Sequence, residues 1–319
     1  MSAWRPTERE VEEAVAWQEP VPAPAHPLWV HLLLFCLTLF TMTATGAMQQ
    51  GVDPLSSKAS LVHLAEGIPF AATLLAILTV HEFGHYFAAR YWGVRATLPY
   101  FLPFLPHLSL FGTLGAVIRI RSSIPHKRAL LDIGAAGPLA GLVVAIVACA
   151  VGLYQSEVVS PAYFYPEGYH LALPLGSPLL FSGLAALVRP EALGAETVLL
   201  SPVAFAGWVG LFITAFNLFP IGQLDGGHIV YALFGRKHRL ISQVTYIALI
   251  VMGAYGILSQ IWDLPRGFYG WLVLAFIMTV FGKGHPTPYD PLMPLDPRRR
   301  WVGWACLAAF AVCLTPVPF

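Results

Sequence analysis

Charged side chains are scarce in this sequence: they make up 11% of its 319 residues, against about 25% in soluble globular domains. So little polarity cannot cover a water-exposed surface, which excludes an ordinary soluble protein. A basic excess is also absent, because 18 lysines and arginines stand against 17 aspartates and glutamates, and this argues against binding nucleic-acid phosphates. Since 57% of the residues are hydrophobic, disorder is excluded too. The composition therefore predicts one membrane domain.

Cysteine is rare, and its positions give no indication of a disulfide framework. The four cysteines lie inside apolar runs, where a thiol is usually a small hydrophobic side chain; they are Cys36, Cys149, Cys306 and Cys313. None forms a CxxC pair, so a cysteine-based zinc site has no support.

Long apolar runs, in contrast, are abundant, and each is a candidate for a membrane-spanning helix. The runs lie at 28–48, 68–92, 129–154, 199–220, 240–261, 267–281 and 301–314. The last two are brief. The sequence predicts an all-α polytopic membrane protein with six to seven transmembrane helices.

The cations of the short loops predict the orientation of these helices. They cluster between the second and third runs, after Pro220 and before Trp301, on the same side as the N-terminus. We expect that side to be cytoplasmic and the membrane to be the inner membrane of a bacterial cell. Residues 1–27 are polar, acidic and proline-rich, which predicts a cytoplasmic tail before a membrane-embedded domain at 28–319.

One segment between the second and third runs is neither a plain loop nor a helix. Residues 100–121 are interrupted by prolines and glycines, which argues against a helix. The segment ends in an alternating β-branched run at 116–121, which predicts an edge strand near the membrane surface. A short membrane-associated β segment is therefore expected.

The second run contains the motif HEFGH, with His81, Glu82 and His85. Positions i and i+4 share one face of a helix, so both imidazoles can reach one metal ion. Glu82 lies beside them, where it can contact a water on the metal. A polar patch for helix packing is the other interpretation, but three ionisable groups within one turn in lipid are costly and by default functional.

A catalytic zinc site needs a third protein ligand, and the end of the fourth run offers one. The sequence NLFPIGQLDGGH contains Asn217, Asp225 and His228. The predicted topology brings Asp225 to the same side of the membrane as HEFGH. The proline and glycines of NLFPIGQLDGGH predict an irregular backbone. Such a backbone is tolerated at membrane depth only where protein or a water-filled cavity surrounds it. His228 is a weaker candidate ligand, and Asn217 alone could be a polar helix–helix contact.

Together, HEFGH and NLFPIGQLDGG resemble the site-2 protease family of intramembrane zinc metalloproteases. GTLGAVI and DIGAAGPLAG, which lie between them, extend the resemblance over about residues 68–235. The resemblance implies one zinc ion per chain, held by His81, His85 and Asp225, with Glu82 as catalytic acid/base. It also implies that Asn217 positions substrate or stabilises the oxyanion. We expect a compact member without a PDZ or nucleotide-sensing domain.

The expected function is that of a zinc endopeptidase cutting within or near transmembrane segments of membrane-anchored proteins, first trimmed by another protease. The expected partners are thus membrane-spanning proteins and the lipid bilayer, and no binding of nucleic acid is expected. An ion transporter, which carries ions on intramembrane acids and histidines, and a catalytically silent relative that binds membrane proteins are the alternatives.

Other polar and small residues near the motifs have simpler interpretations. Gly137 and Gly141 predict a face for close helix packing. Asp132 is expected to be an interfacial acid that suits a helix N-terminus. His107 and His126 are expected at the surface or the interface.

Overall fold

The protein was analysed as a computed structural model, which describes residues 26–159, 174–193, 197–262, 264–281, 290 and 292–319. The predicted tail at 1–27 lies outside the described residues apart from its last two positions. The described α-helices are α1 (Leu28–Gln49), α2 (Ile68–Tyr91), α3 (Lys127–Gln155), α4 (Leu179–Val188), α5 (Pro202–Asn217), α6 (Asp225–Phe234), α7 (His238–Ile261), α8 (Gly270–Phe281) and α9 (Pro297–Cys313).

Four helical stretches among the described residues are long and apolar enough to cross a membrane. They are Leu28–Gln49, Ala59–Tyr91, Lys127–Gln155 and Asp225–Ile261. The second begins with a 3-10 helix at Ala59–Gly67 that leads into α2, and the fourth combines α6 and α7. The protein is thus a mostly helical integral membrane protein.

Three of the remaining predicted spans form helices that are short for a membrane crossing. The runs at 199–220, 267–281 and 301–314 form helices α5, α8 and α9 of 16, 12 and 17 residues. At 1.5 Å per residue, each is shorter than the ~30 Å hydrocarbon layer. Proline sets both limits of α5, because Pro202 starts the helix and Pro220 lies just beyond its end.

Helices α2, α3 and α5 form the centre of the molecule, and small residues let them approach closely. A Cβ added at Gly84 of α2 would lie 2.6 Å from the Ala136 carbonyl oxygen of α3. One added at Gly207 of α5 would lie 2.7 Å from the Cys149 backbone nitrogen. Such contacts are usual between membrane helices, whose association depends on close van der Waals packing.

The segment between α2 and α3 forms a β-hairpin, placed differently from the prediction. Strand β1 (Tyr100–Pro103) pairs antiparallel with β2 (Thr113–Val117), so the strand starts three residues before the predicted 116–121. Beyond β2, pairing continues as an isolated bridge between Ala96 and Ile120. The remaining described strands, β3 (Glu157–Val159) and β4 (Thr197–Leu199), pair with each other elsewhere.

The hairpin lies along α1 and contacts that helix near both of its ends. The His31 ring Nδ1 is 3.0 Å from the Pro99 carbonyl oxygen near one end of α1. Near the other end, the Gln49 side chain donates to the Leu110 carbonyl at 2.8 Å. Between them, Thr41 donates to the Gly112 carbonyl at 2.7 Å. Gly112 has φ +70°, and a Cβ there would meet the α1 backbone, which requires glycine.

Candidate metal centre

His81 and His85 lie one turn apart on the buried face of α2. Their side chains belong to residues only 3% and 6% exposed, and their Nε2 atoms are 3.1 Å apart. From His85 to the end of α2 at Tyr91 is about 9 Å at 1.5 Å per residue. The pair is therefore inside the helical span, near one of its ends.

Asp225 reaches these histidines because the chain breaks between α5 and α6. Residues 218–224 turn back, with Gly222 at φ +55°, and Asp225 becomes the first residue of α6. Any side chain at Gly226 would collide with the Leu218 carbonyl oxygen, so the glycine permits this return. Asp225 Oδ2 lies 3.2 Å from His85 Nε2 and 3.6 Å from His81 Nε2.

The three side chains form a group that fits a zinc ion. One ligand atom from each of His81, His85 and Asp225 lies within 4.8 Å of the others, giving two nitrogens and one carboxylate oxygen. Three such ligands leave a coordination position open, as in catalytic zinc sites. His85 Nδ1 is 2.7 Å from the Ile133 carbonyl oxygen. A carbonyl can only accept, so Nδ1 carries the proton and Nε2 is free to bind metal.

Glu82 lies next to the group and outside it. Its residue is 6% exposed, and the backbone of Ile118, just after β2, lies within hydrogen-bonding reach of its carboxyl group. A carboxylate beside a metal-ligand pair is placed to exchange protons with a water there.

Asn217, the last residue of α5, also faces the centre. Its Nδ2 is 3.4 Å from His81 Nε2, while the chain turns away directly after it. The structure thus brings together all five residues that the sequence singled out: His81, Glu82, His85, Asn217 and Asp225. Their chemical roles stay predictions.

Helix α3 forms one wall of the centre through its glycines. A Cβ at Gly137 would collide with the His85 imidazole, and one at Gly141 would lie 3.1 Å from the His81 Cβ. The predicted packing face therefore exists, and the ligands themselves pack into it. The Ile133 carbonyl, on the same helix, has no sequence signal because any residue can offer it.

The secondary candidates lie outside the group of three ligands. His228 is not part of that group, although it lies on α6 near Gly134. His107 is exposed and 3.1 Å from Asp53. The His126 ring accepts a hydrogen bond from the Ala129 nitrogen at the start of α3.

Asp132, predicted as an interfacial acid that suits a helix N-terminus, also has a charged partner. It forms an ion pair with Arg299 of α9, with a closest N–O distance of 2.8 Å. The indole nitrogen of Trp92 donates to the same carboxylate at 3.1 Å. Its charge is therefore neutralised by a partner 167 positions along the chain.

Residues 69–259 match the family model described as peptidase family M50, the site-2 protease family. The chain belongs to this family. It is 32% identical over 308 residues to a protein of Oryza sativa subsp. indica named probable zinc metalloprotease EGY2, chloroplastic, covering 92% of this chain and 51% of the relative. The Arabidopsis thaliana protein of the same name is 30% identical, covering 92% and 50%.

A further relative, probable zinc metalloprotease EGY1, chloroplastic, of Arabidopsis thaliana, is 32% identical over 79% of this chain and 47% of its own length. The chain thus spans about half the length of the curated relatives it matches. Their names agree with zinc as the ion for the three ligands. Because they are chloroplastic proteins, the expectation of a bacterial inner membrane finds no support in them.

Proposed function

We propose that this member of the M50 family is a zinc endopeptidase that cleaves membrane-anchored proteins within or near their transmembrane segments. The observation that carries the proposal is the group of His81, His85 and Asp225, with Glu82 beside it: the two histidines and Glu82 are buried in an apolar helical span, and the partly buried Asp225 reaches them from another helix. Burying three ionisable residues and partly burying a fourth is costly, and a reaction on a peptide bond at that depth is the function this group supports best.

The residues divide the chemistry in a simple way. Zinc, when bound by His81, His85 and Asp225, supplies Lewis-acid activation of water and of the scissile carbonyl. Glu82 accepts the proton of the attacking water and later donates it to the leaving amine nitrogen. The Asn217 amide, close to His81, is placed to donate to the substrate carbonyl oxygen as negative charge develops on it. The Ile133 carbonyl keeps His85 oriented throughout.

The β-hairpin suggests how a substrate is presented. A helical substrate hides its carbonyl groups in hydrogen bonds, so it must unwind before attack. Strand β2 is paired with β1 in a two-stranded sheet, and the chain directly after it passes Glu82. An unwound substrate can add to the other edge of β2 as an extended strand, which would deliver its backbone to the metal centre.

The implied setting is regulated intramembrane proteolysis. The proposed partners are membrane-spanning proteins whose external part has first been trimmed by another protease, together with the bilayer itself. A transporter is less well supported, because ion passage does not require a carboxylate beside two histidines and a third ligand on a separate helix.

The test compares the full chain with Glu82→Gln in detergent micelles. We expect both proteins to hold one zinc ion per chain, because Glu82 lies outside the group of ligands. Cleavage of a model membrane-spanning substrate should fall by at least ~100-fold in the variant, the usual contribution of acid–base catalysis. Ion flux in vesicles would support the transporter instead.

Cleavage that survives Glu82→Gln, or a native protein without bound metal, would contradict the mechanism. Bound zinc without cleavage of any of several substrates would favour the catalytically silent alternative.

A further inference from the structure

Helix α9 lies beyond residues 69–259, the part that matches the family model, yet it contacts α6, which carries Asp225, and Trp92, which directly follows α2. Its Cys306 and Ala309 pack with Ala135 of α3, Leu218 of the α5–α6 break and Ile229 of α6 in one buried cluster. Its first turn makes polar contacts with α3 and with the end of α2. The helix is therefore part of the support of the metal centre.

Arg299 supplies the polar contacts, and all three nitrogens of its guanidinium group take part. Nε is 3.0 Å from each carboxylate oxygen of Asp132, and one terminal nitrogen is 2.8 Å from Oδ2. The other terminal nitrogen is 2.6 Å from Asp296 Oδ2. This side-on fork is the geometry in which arginine binds a carboxylate most specifically.

The same ion pair includes α2, the helix that carries the histidines. Trp92, which follows the last residue of α2, donates its indole N–H to Asp132. The Arg299 guanidinium carbon also lies 5.3 Å from the centre of the Trp92 ring, within cation–π range. One side chain of α9 thus joins the end of α2 to the first turns of α3.

The next residue along α3 links this ion pair to a metal ligand. Ile133, adjacent to Asp132, has the carbonyl that accepts from His85 Nδ1 at 2.7 Å. Any rotation or slide of this part of α3 moves that carbonyl relative to the imidazole. The position of His85 therefore depends on how firmly Asp132 is held.

We propose that Arg299 is a positioning residue for the metal centre: through Asp132 it fixes the Ile133 carbonyl that orients His85. The proposal rests on zinc binding by His81, His85 and Asp225, and not on any particular substrate. It differs from a simple surface ion pair, which contributes little, because the Arg299 and Asp132 side chains are only 26% and 25% exposed and link α9 to α3 and to Trp92, the residue that follows α2.

The test measures zinc binding of the full chain in detergent micelles, by competition with a chromogenic chelator. We expect Arg299→Gln and Asp132→Asn each to weaken zinc binding about 10-fold, the lower end of the loss caused by removing a ligand's direct outer partner, because both residues act through the Ile133 carbonyl. The double variant should lose little more than the more affected single variant, because the two residues act as a pair. The Co2+-loaded variants should show an altered ligand-field absorption spectrum, which reports ligand geometry.

The matched control is Arg300→Gln, since Arg300 is the exposed neighbour of Arg299 on the same helix. It should bind zinc as the native chain does. Thermal unfolding of the metal-free proteins separates positioning from general destabilisation: the Arg299 variant should unfold near the native temperature while binding zinc weakly. If Arg299→Gln fails to fold, Arg299→Lys replaces it in the comparison. Lysine keeps the positive charge but cannot bind Asp132 through two nitrogens, so we expect a smaller loss of zinc affinity.

Zinc affinity and Co2+ spectra equal to those of the native chain in the Arg299 and Asp132 variants would overturn the proposal. So would additive losses in the double variant. A native chain that binds zinc but cleaves nothing would contradict the proposed protease activity and leave this inference standing.

Discussion

At the scale of single residues, Gly137 places a direct steric constraint on a candidate metal ligand. The His85 imidazole occupies the space that any side chain at this position would need. His85 is also held by the Ile133 carbonyl on the same helix, so the ring cannot move away without losing that bond. A residue with no functional group therefore controls the position of a ligand.

Gly137→Ala should displace His85 and weaken zinc binding by at least ~10-fold, a loss comparable to removing an outer partner of a ligand. Chelator competition on the full chain measures it. Gly183→Ala is the matched control, because a Cβ at Gly183 of α4 meets nothing within 4 Å and alanine favours a helix. Native zinc affinity in the Gly137 variant would contradict the proposal that Gly137 of α3 fixes the position of His85.

Single residues also show what a motif can and cannot predict. His81, Glu82 and His85 could be identified from the sequence because the i, i+4 spacing alone places both imidazoles on one face. The Ile133 carbonyl could not, since a backbone acceptor is offered by every residue. The partner of Asp132 is likewise invisible in sequence, because Arg299 reaches it only through the packing of α9.

At the scale of elements, the hairpin between α2 and α3 is where prediction and structure differ most. Alternation at 116–121 predicted an edge strand, whereas β2 spans Thr113–Val117 and shares only Ala116 and Val117 with that prediction. The pairing of β1 with β2 and the contacts along α1 depend on partners far apart in sequence. The alternation of side chains can indicate a single strand. Its pairing register and its position along α1 depend on the residues it packs against.

Ile118→Pro should reduce cleavage while leaving zinc binding unchanged. Proline removes the backbone N–H near Glu82 and cannot pair with an added substrate strand. We expect at least a ~10-fold loss of kcat/KM for a membrane-spanning substrate, about the cost of one hydrogen bond to a charged group. Ile118→Ala, which keeps the N–H, is the control and should cleave much more like the native chain. Equal activity of the two variants would remove the proposed role of the strand.

The long helices were predicted well and the short ones less well, for a physical reason. Helices α1 and α2 begin at the predicted residues and end within one residue of the prediction, because an unbroken apolar run has few alternatives to a helix. Helix α5 is shorter than its predicted run, since the apolar residues after Asn217 belong to the irregular return that carries the chain to Asp225.

At the scale of the whole molecule, the arrangement of helices predicts which loops share a side of the membrane. Helices α1 and α2 are joined by the segment that contains Ser57, and the basic turn with Arg236 follows α6. The Asp225 end of α6 adjoins His85, and α2 continues from His85 toward the cytoplasmic side by the positive-inside argument. Ser57 and Arg236 should therefore face opposite sides.

Cysteine variants at these two positions test the orientation in sealed vesicles of known sidedness. An impermeant thiol reagent should label Ser57→Cys from the external side and Arg236→Cys only from the cytoplasmic side. Replacing Cys36, an exposed native cysteine, removes background labelling. Labelling of both variants from one side would contradict the predicted topology.

The sequence by itself indicated a membrane protein, two candidate metal ligands one turn apart on α2, and a third candidate, Asp225, in a later DGG motif. These features follow from composition and from spacing along one helix, which are local properties. Only the tertiary structure decided that α3 walls the centre with Gly137, that Ile133 orients His85, and that α9 reaches back to Asp132. Those contacts depend on how helices cross, and crossing is set by the packing of whole faces rather than by any residue's own preference.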